Sequence, residues 1–363
     1  LSLGAAGSAT AGAVGGLGPY EVLLLWRLIL GVGIGGEYPL SCAVTAEGSS
    51  AEDSATSMVL TYMMFQVGQL LAPAVALCCL GAGAGPEFIW RFCLGFGALL
   101  ALTGALLRAE TMQESEAWLA SRASARRTRV CGSGLLQAIW LPLLGTTSTY
   151  FLYDVVSWGV GSYTSSIFES STRAGTLWYM LLINAMATPG FVLTMWMGKF
   201  GRRTFQMWGF FGMAVCMIAV GLSYESAPML VLVLAFGVQK IFDSGGPGAT
   251  TFIIPGEIFP TSVRATCHGV SSAAGKLGAF AGMYLFPVVE SRVGYPAMLK
   301  LGGALMLCGM ALTAALTPPY SAATLRRLRA LADGDVSLTT EILWSREPGS
   351  DSSAGSDEDG DDE

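Results

Sequence analysis

Charge is what this sequence has least of. Lys, Arg, Asp and Glu make up 13% of its 363 residues, where a soluble domain typically carries about 25%. With 52% hydrophobic residues and a mean hydropathy of +0.55, the chain has too little polar surface to stay in water. Its class is a polytopic membrane protein. Histidine is almost missing as well, and the single His268 excludes a histidine metal cluster. The eight cysteines (42, 78, 79, 93, 131, 216, 267 and 308) show no ligand spacing and fall mostly in apolar stretches. Free cysteine behaves as a small hydrophobe, so they read as packing residues, neither disulfides nor a metal site. No basic region precedes the first apolar stretch, so that stretch is not expected to be a signal peptide. The chain begins at Leu1 without an initiator Met, and the expectation is an N-terminally incomplete chain.

What is present is a series of apolar stretches. A helix needs about 20 apolar residues to cross the hydrocarbon core. Ten stretches approach or meet this: 1–17, 22–44, 58–80, 89–107, 135–160, 177–197, 205–222, 229–254, 270–289 and 297–316. Basic residues test the count. Arg122, Arg126, Arg127 and Arg129 follow the fourth stretch; Lys199, Arg202 and Arg203 follow the sixth; Arg264 follows the eighth; Arg326, Arg327 and Arg329 follow the tenth. Each cluster lies two crossings from the last, so all share one face, which the positive-inside rule makes cytoplasmic. The formal net charge of −6 hides this, because seven acids lie in 350–363 and removing them leaves +1. That acidic end is too polar to bury anything and reads as disordered. A short amphipathic helix is expected before it, at 322–331.

Ionisable residues recur inside the apolar stretches, at Arg27, Glu37, Asp154, Lys240, Asp243 and Lys276. A charge at mid-membrane costs roughly 2.5–3.5 kcal/mol on insertion scales, and such residues usually line a path for ions or polar solutes. The inference is transport, with no enzymatic chemistry, cofactor or nucleic-acid partner. Gly31, Gly33 and Gly36 satisfy G-x-G-x-x-G, but a dinucleotide site needs a βαβ unit in water; close helix packing is the better reading of these glycines. Lys240 and Asp243, spaced i, i+3, can neutralise one another and are expected to be a structural pair.

Gly33-Ile-Gly-Gly-Glu37-Tyr38-Pro39-Leu40-Ser41, with Glu47 ten residues after Glu37, resembles the fourth helix of proton-coupled inorganic phosphate symporters, a branch of the major facilitator superfamily. A longer block is similar to the same family, from Gly246-Pro-Gly-Ala-Thr-Thr-Phe through Glu257-Ile-Phe-Pro-Thr, Arg264 and Cys267-His268-Gly to Gly275-Lys276. Gly201-Arg202-Arg203 and Tyr150-Phe-Leu-Tyr-Asp154-Val-Val-Ser-Trp158 are further matches. The resemblance implies an all-α major facilitator-type bundle with about ten spans present of an expected twelve. Residues 1–107 would hold four spans of the N-terminal bundle, 108–134 a cytoplasmic loop, 135–317 six spans of the C-terminal bundle and 318–363 a cytoplasmic tail.

It also implies roles. Glu37 and Asp154 handle protons; Tyr38, Gln66, Tyr150, Asp154, Trp158 and Lys276 hold phosphate; Glu47, Arg202, Arg203, Glu257 and Arg264 serve gating and topology. Partners are inorganic phosphate, protons and the lipid bilayer, with no metal and no nucleic acid, and the membrane expected is the plasma membrane. Departures from the family pattern are Glu37 in place of Asp, Gly248 in place of a phosphate-contacting Asn, Gly198 in place of an acid, and the exchange of aromatic types at Tyr150 and Trp158. The rival readings are a sugar or organic-ion porter, and a non-transporting phosphate sensor or inactive fragment. Convergence of Glu37, Asp154 and Lys276 on one central cavity is the structural expectation on which the reading stands.

Overall fold

The computed structural model describes residues 1–49, 53–111, 119 and 132–320. The expected helix at 322–331, the acidic end and the arginines at 122–129 and 326–329 lie outside the described residues. Helices follow one another along the chain: α1 Ser2–Ala9, α2 Pro19–Glu47, α3 Ser54–Gly81, α4 Pro86–Thr111, α5 Gly132–Gly161, α6 Thr164–Ile167, α7 Arg173–Ala185, α8 Thr188–Thr194, α9 Met197–Phe200, α10 Arg202–Ser223, α11 Met229–Gly245, α12 Pro247–Ile258 and α13 Thr261–Leu316.

Local chemistry sets the breaks. Pro19 starts α2 at a position where a missing N–H costs nothing. Thr172 caps α7 by accepting from the Gly175 backbone N–H at 3.0 Å. Gly246 and Pro247 separate α11 from α12, yet the two continue as one apolar stretch, Met229–Ile258. The 56-residue α13 is two helices joined at Gly294, whose φ of 77° and ψ of 173° favour glycine and turn the chain back.

Among the described residues, seven helical stretches are long and apolar enough to cross a bilayer: Pro19–Glu47, Thr56–Gly81, Pro86–Glu110, Arg173–Thr194, Arg202–Ser223, Met229–Ile258 and Val263–Leu316. The last reverses at Gly294 and so holds two of the expected spans, 270–289 and 297–316. The 30-residue α5 is a further long helix, made less apolar by Thr146-Thr147-Ser148-Thr149 and Asp154. The first stretch is the exception. Its helix α1 has 8 residues, about 12 Å of rise, and the chain then turns through Gly15 and Gly16, both at positive φ.

Two groups of helices meet. The C-terminal group is the more extensively packed, with α5 and α10 against α13 and a core that includes Val156, Phe210, Met213, Met217, Phe286 and Met306. In the other group, Leu24, Leu28, Val32, Leu99 and Leu106 are exposed on α2 and α4. In water such a surface would invite association; in a bilayer it is the face lipid requires. The groups touch where α3 packs on α7 and α8, and where α2 meets α12 and α13.

Candidate functional site

A cavity of about 260 Å³ lies between the two groups. Lys276 of α13 and Asp154 of α5 both line it and form an ion pair at 3.0 Å. The two ends of that pair differ in environment: the Asp154 side chain is 2% exposed, and that of Lys276 is 47% exposed. Three aromatic rings surround the ammonium, Trp158 with its centroid at 5.2 Å and Tyr38 and Tyr150 at 5.8 Å each. This attraction to ring faces holds a cation without consuming its hydrogen bonds. The Lys276 ammonium is therefore positioned but still able to exchange partners.

A seam of small residues brings α13 against α5. A Cβ at Gly278 would overlap the Phe151 carbonyl, and one at Gly282 the Val155 carbonyl. Spaced i, i+4, these glycines let the two backbones approach closely. Lys276 is thereby set beside Asp154 one turn along. Tyr150, one turn before Asp154, is 2% exposed and packs on Gly275.

The opposite wall comes from α2 and α3. Tyr38, Tyr62 and Gln66 line it, and the Gln66 side-chain amide donates to the Asn184 carbonyl of α7. Asn184 in turn donates to the Gln69 carbonyl at 3.4 Å. Gln66 is thus partly spent on joining the groups. Tyr38, Gln66, Tyr150, Asp154, Trp158 and Lys276 are all brought together around one space, as the resemblance implied.

Glu37 is not. It is absent from the cavity lining; its carboxylate accepts from Ser41 at 2.7 Å and pairs with Arg108 of α4 at 2.5 Å. The physical reason is helical phase. Successive residues point about 100° apart, since a turn holds 3.6 residues, so with Tyr38 facing the cavity Glu37 faces around the helix toward α4. The expected three-way convergence of Glu37, Asp154 and Lys276 is corrected to a two-way one. Arg27 also stays apart, exposed on α2.

The sequence reasoning missed a second ionic group in the same cavity. Lys240 and Asp243 do pair, at 2.8 Å, but both also line the cavity. Tyr153 donates its hydroxyl to the other Asp243 oxygen at 2.7 Å. Tyr153 sits one residue before Asp154 in a quoted motif, which was the available signal. Their i, i+3 spacing suggested a self-contained pair and hid their common orientation.

The cavity is closed toward one end by an apolar layer of Cys42, Met58, Ala249, Phe252 and Ile253. Phe252 packs edge-on to Tyr38 at 4.9 Å and stacks on Tyr62 at 5.4 Å. Beyond that layer, Arg264 of α13 pairs with Glu47 of α2 at 3.5 Å, joining the two groups. Arg202 and Glu257 instead pair within the C-terminal group, through two hydrogen bonds of 3.0 Å. Tyr320 donates a third to Glu257 at 2.9 Å. Arg203 donates to the Ala314 carbonyl. Glu47 and Arg264 therefore join the two groups, whereas Arg202, Arg203 and Glu257 bond within one.

A family model described as "Sugar (and other) transporter" matches residues 1–131 and 160–330. Over 301 residues the chain is 33% identical to the inorganic phosphate transporter PT2 of Toxoplasma gondii, a match covering 79% of this chain and 52% of that protein. It is 28% identical over 358 residues to the probable inorganic phosphate transporter 1-6 of Arabidopsis thaliana, covering 80% and 69%. The chain thus spans about half the length of the first relative and about two thirds of the second. Among solved structures, the proton:xylose symporter XylE superposes with a TM-score of 0.79 at 20% identity, over 92% of this chain and 81% of that one.

Proposed function

The chain belongs to the sugar (and other) transporter family of the major facilitator superfamily, and on that premise we propose that it carries inorganic phosphate together with protons by alternating access. Residues 1–107 and 135–317 form the two bundles that rock about the central cavity. The membrane is the plasma membrane, and the basic face, with the C-terminal tail, is cytoplasmic. The observation that carries the reading is the Lys276–Asp154 pair inside an aromatic-lined cavity, in a chain similar to several phosphate transporters.

The chemistry follows from the pair. A partly desolvated ammonium neutralises an oxyanion strongly and gives little to a neutral sugar, which argues against a sugar substrate. Asp154 can accept a hydrogen bond from a phosphate hydroxyl or take up the coupled proton, and either event loosens its hold on Lys276. Glu37, paired with Arg108, handles a proton outside the anion cavity. One proton moving with monovalent phosphate carries no net charge. The membrane potential assists, at roughly 2.3 kcal/mol per charge per 100 mV, only when more than one proton travels.

Uptake of labelled phosphate into proteoliposomes tests the reading. Lys276→Met should abolish accumulation, while Lys300→Met, on an exposed residue outside the cavity, should leave it intact. Wild-type uptake should rise as external pH falls between about 8 and 5, the range where physiological switches work; a flat profile removes proton coupling. Phosphate binding without accumulation would replace the transporter reading with the sensor.

A further inference from the structure

Two ion pairs face one cavity, and the proposed anion site uses only one. Lys240 holds Asp243 at 2.8 Å, with side chains 18% and 9% exposed, and both line the space that Lys276 and Asp154 line. A pair formed only to neutralise charge on one helix requires no third partner. Here Tyr153, from α5, donates to the second Asp243 oxygen at 2.7 Å, so Asp243 keeps a hydrogen bond when Lys240 leaves it. The neighbouring backbone supplies an independent sign. Gly248 also lines the cavity, and a Cβ there would meet the Asp243 backbone carbonyl at 2.7 Å, the Tyr153 hydroxyl at 3.0 Å and the Asp243 carboxylate at 3.2 Å. The Asp243 backbone and the Tyr153–Asp243 pair together fill the space into which a side chain at 248 would grow.

We propose that Lys240 is a second substrate-contacting cation, stored on Asp243 and released to an oxyanion that bridges it to Lys276. This deepens the phosphate reading and rests on it: the substrate class becomes a tetrahedral oxyanion offering oxygens to two ammonium groups at once. Entry of a monovalent oxyanion adds one negative charge to the two neutral pairs, and one proton taken up by a carboxylate offsets it. Each lysine trades a carboxylate oxygen for a substrate oxygen, and each carboxylate becomes free to accept from a substrate hydroxyl or take a proton. Asp243 retains its Tyr153 bond throughout, which lowers the penalty for leaving a buried carboxylate unpaired.

The test is equilibrium binding of radiolabelled orthophosphate to the full chain in lipid nanodiscs, on preparations matched for monodispersity. Lys240→Met should weaken binding about tenfold or more, the scale of one hydrogen bond to a charged group. Lys240→Arg should recover most of that loss. Asp243→Asn should tighten binding severalfold, because it releases the stored cation. Equal losses in Lys240→Met and Asp243→Asn, repaired in the double substitution, would identify a structural pair and overturn the proposal. Wild-type affinity in Lys240→Met, with Lys276→Met still impaired, overturns the second cation alone. Wild-type affinity in Lys276→Met overturns the primary site and this proposal with it.

Discussion

Replacing Arg202 by Met tests what holds the C-terminal group together. The guanidinium makes two 3.0 Å hydrogen bonds to Glu257, and the two side chains are 1% and 0% exposed. Arg202→Met leaves a buried carboxylate that still accepts from the Tyr320 hydroxyl. Removing one partner of a buried pair costs about 3–5 kcal/mol, and near-complete burial leaves no solvent to reduce that figure. At about 2–4 °C per kcal/mol for a unit of 150–250 residues, the apparent melting temperature should fall by ~6–20 °C. Replacing both partners removes the uncompensated charge, and apolar substitutes for buried pairs are often neutral or stabilising. Arg202→Met/Glu257→Met should therefore recover most of the loss. The assay is thermal unfolding in detergent, followed by dye labelling of the buried cysteines Cys42 and Cys267, arranged as a double-mutant cycle. An Arg202→Met variant melting within about 2 °C of wild type, or a double variant no better than the single, would refute the argument.

Three further outcomes follow from the geometry. Glu47→Gln weakens the Arg264 pair joining the two groups, so maleimide labelling of the buried Cys42 should rise, read by mass spectrometry of its peptide; unchanged labelling denies the gate. Glu37→Gln should keep phosphate affinity within about threefold, less than one charged hydrogen bond, because Glu37 lies outside the cavity. Its pH dependence of uptake should change instead; lost binding would place Glu37 at the anion. Gly282→Leu drives a side chain into the Val155 carbonyl and separates α5 from α13. Folded yield should drop sharply and Lys276 should lose Asp154; normal yield and normal uptake would show that the seam is dispensable.

Much of the site was legible in order along the chain. The motifs around Tyr38, Tyr150, Asp154, Trp158 and Lys276 named residues that do meet, and the buried Arg202 and Glu257 were picked out from their own motifs. The roles were harder to read. Arg202 and Glu257 lock one group internally, while Glu47 and Arg264 bridge two; nothing in spacing distinguishes these. Glu37 stood in the most conspicuous motif and yet points to Arg108, because one residue of helical phase separates it from Tyr38. Lys240 and Asp243 were seen as a pair and not as part of the cavity, since Tyr153 joins them from 90 residues away.

Composition and the spacing of apolar stretches alone determined a helical membrane protein, because burial in lipid demands apolar runs of a given length and internally satisfied backbones. The reversal at Gly294 was likewise anticipated, by the gap between the stretches 270–289 and 297–316, whereas the break at Gly246–Pro247 falls inside 229–254, read as one stretch. Which charges share a cavity was decided only by tertiary packing: the glycine seam of α13 against α5 sets Lys276 on Asp154, and the phase of α2 turns Glu37 away. Charge partners are a matter of distance and direction in space, and helices far apart in sequence supply both.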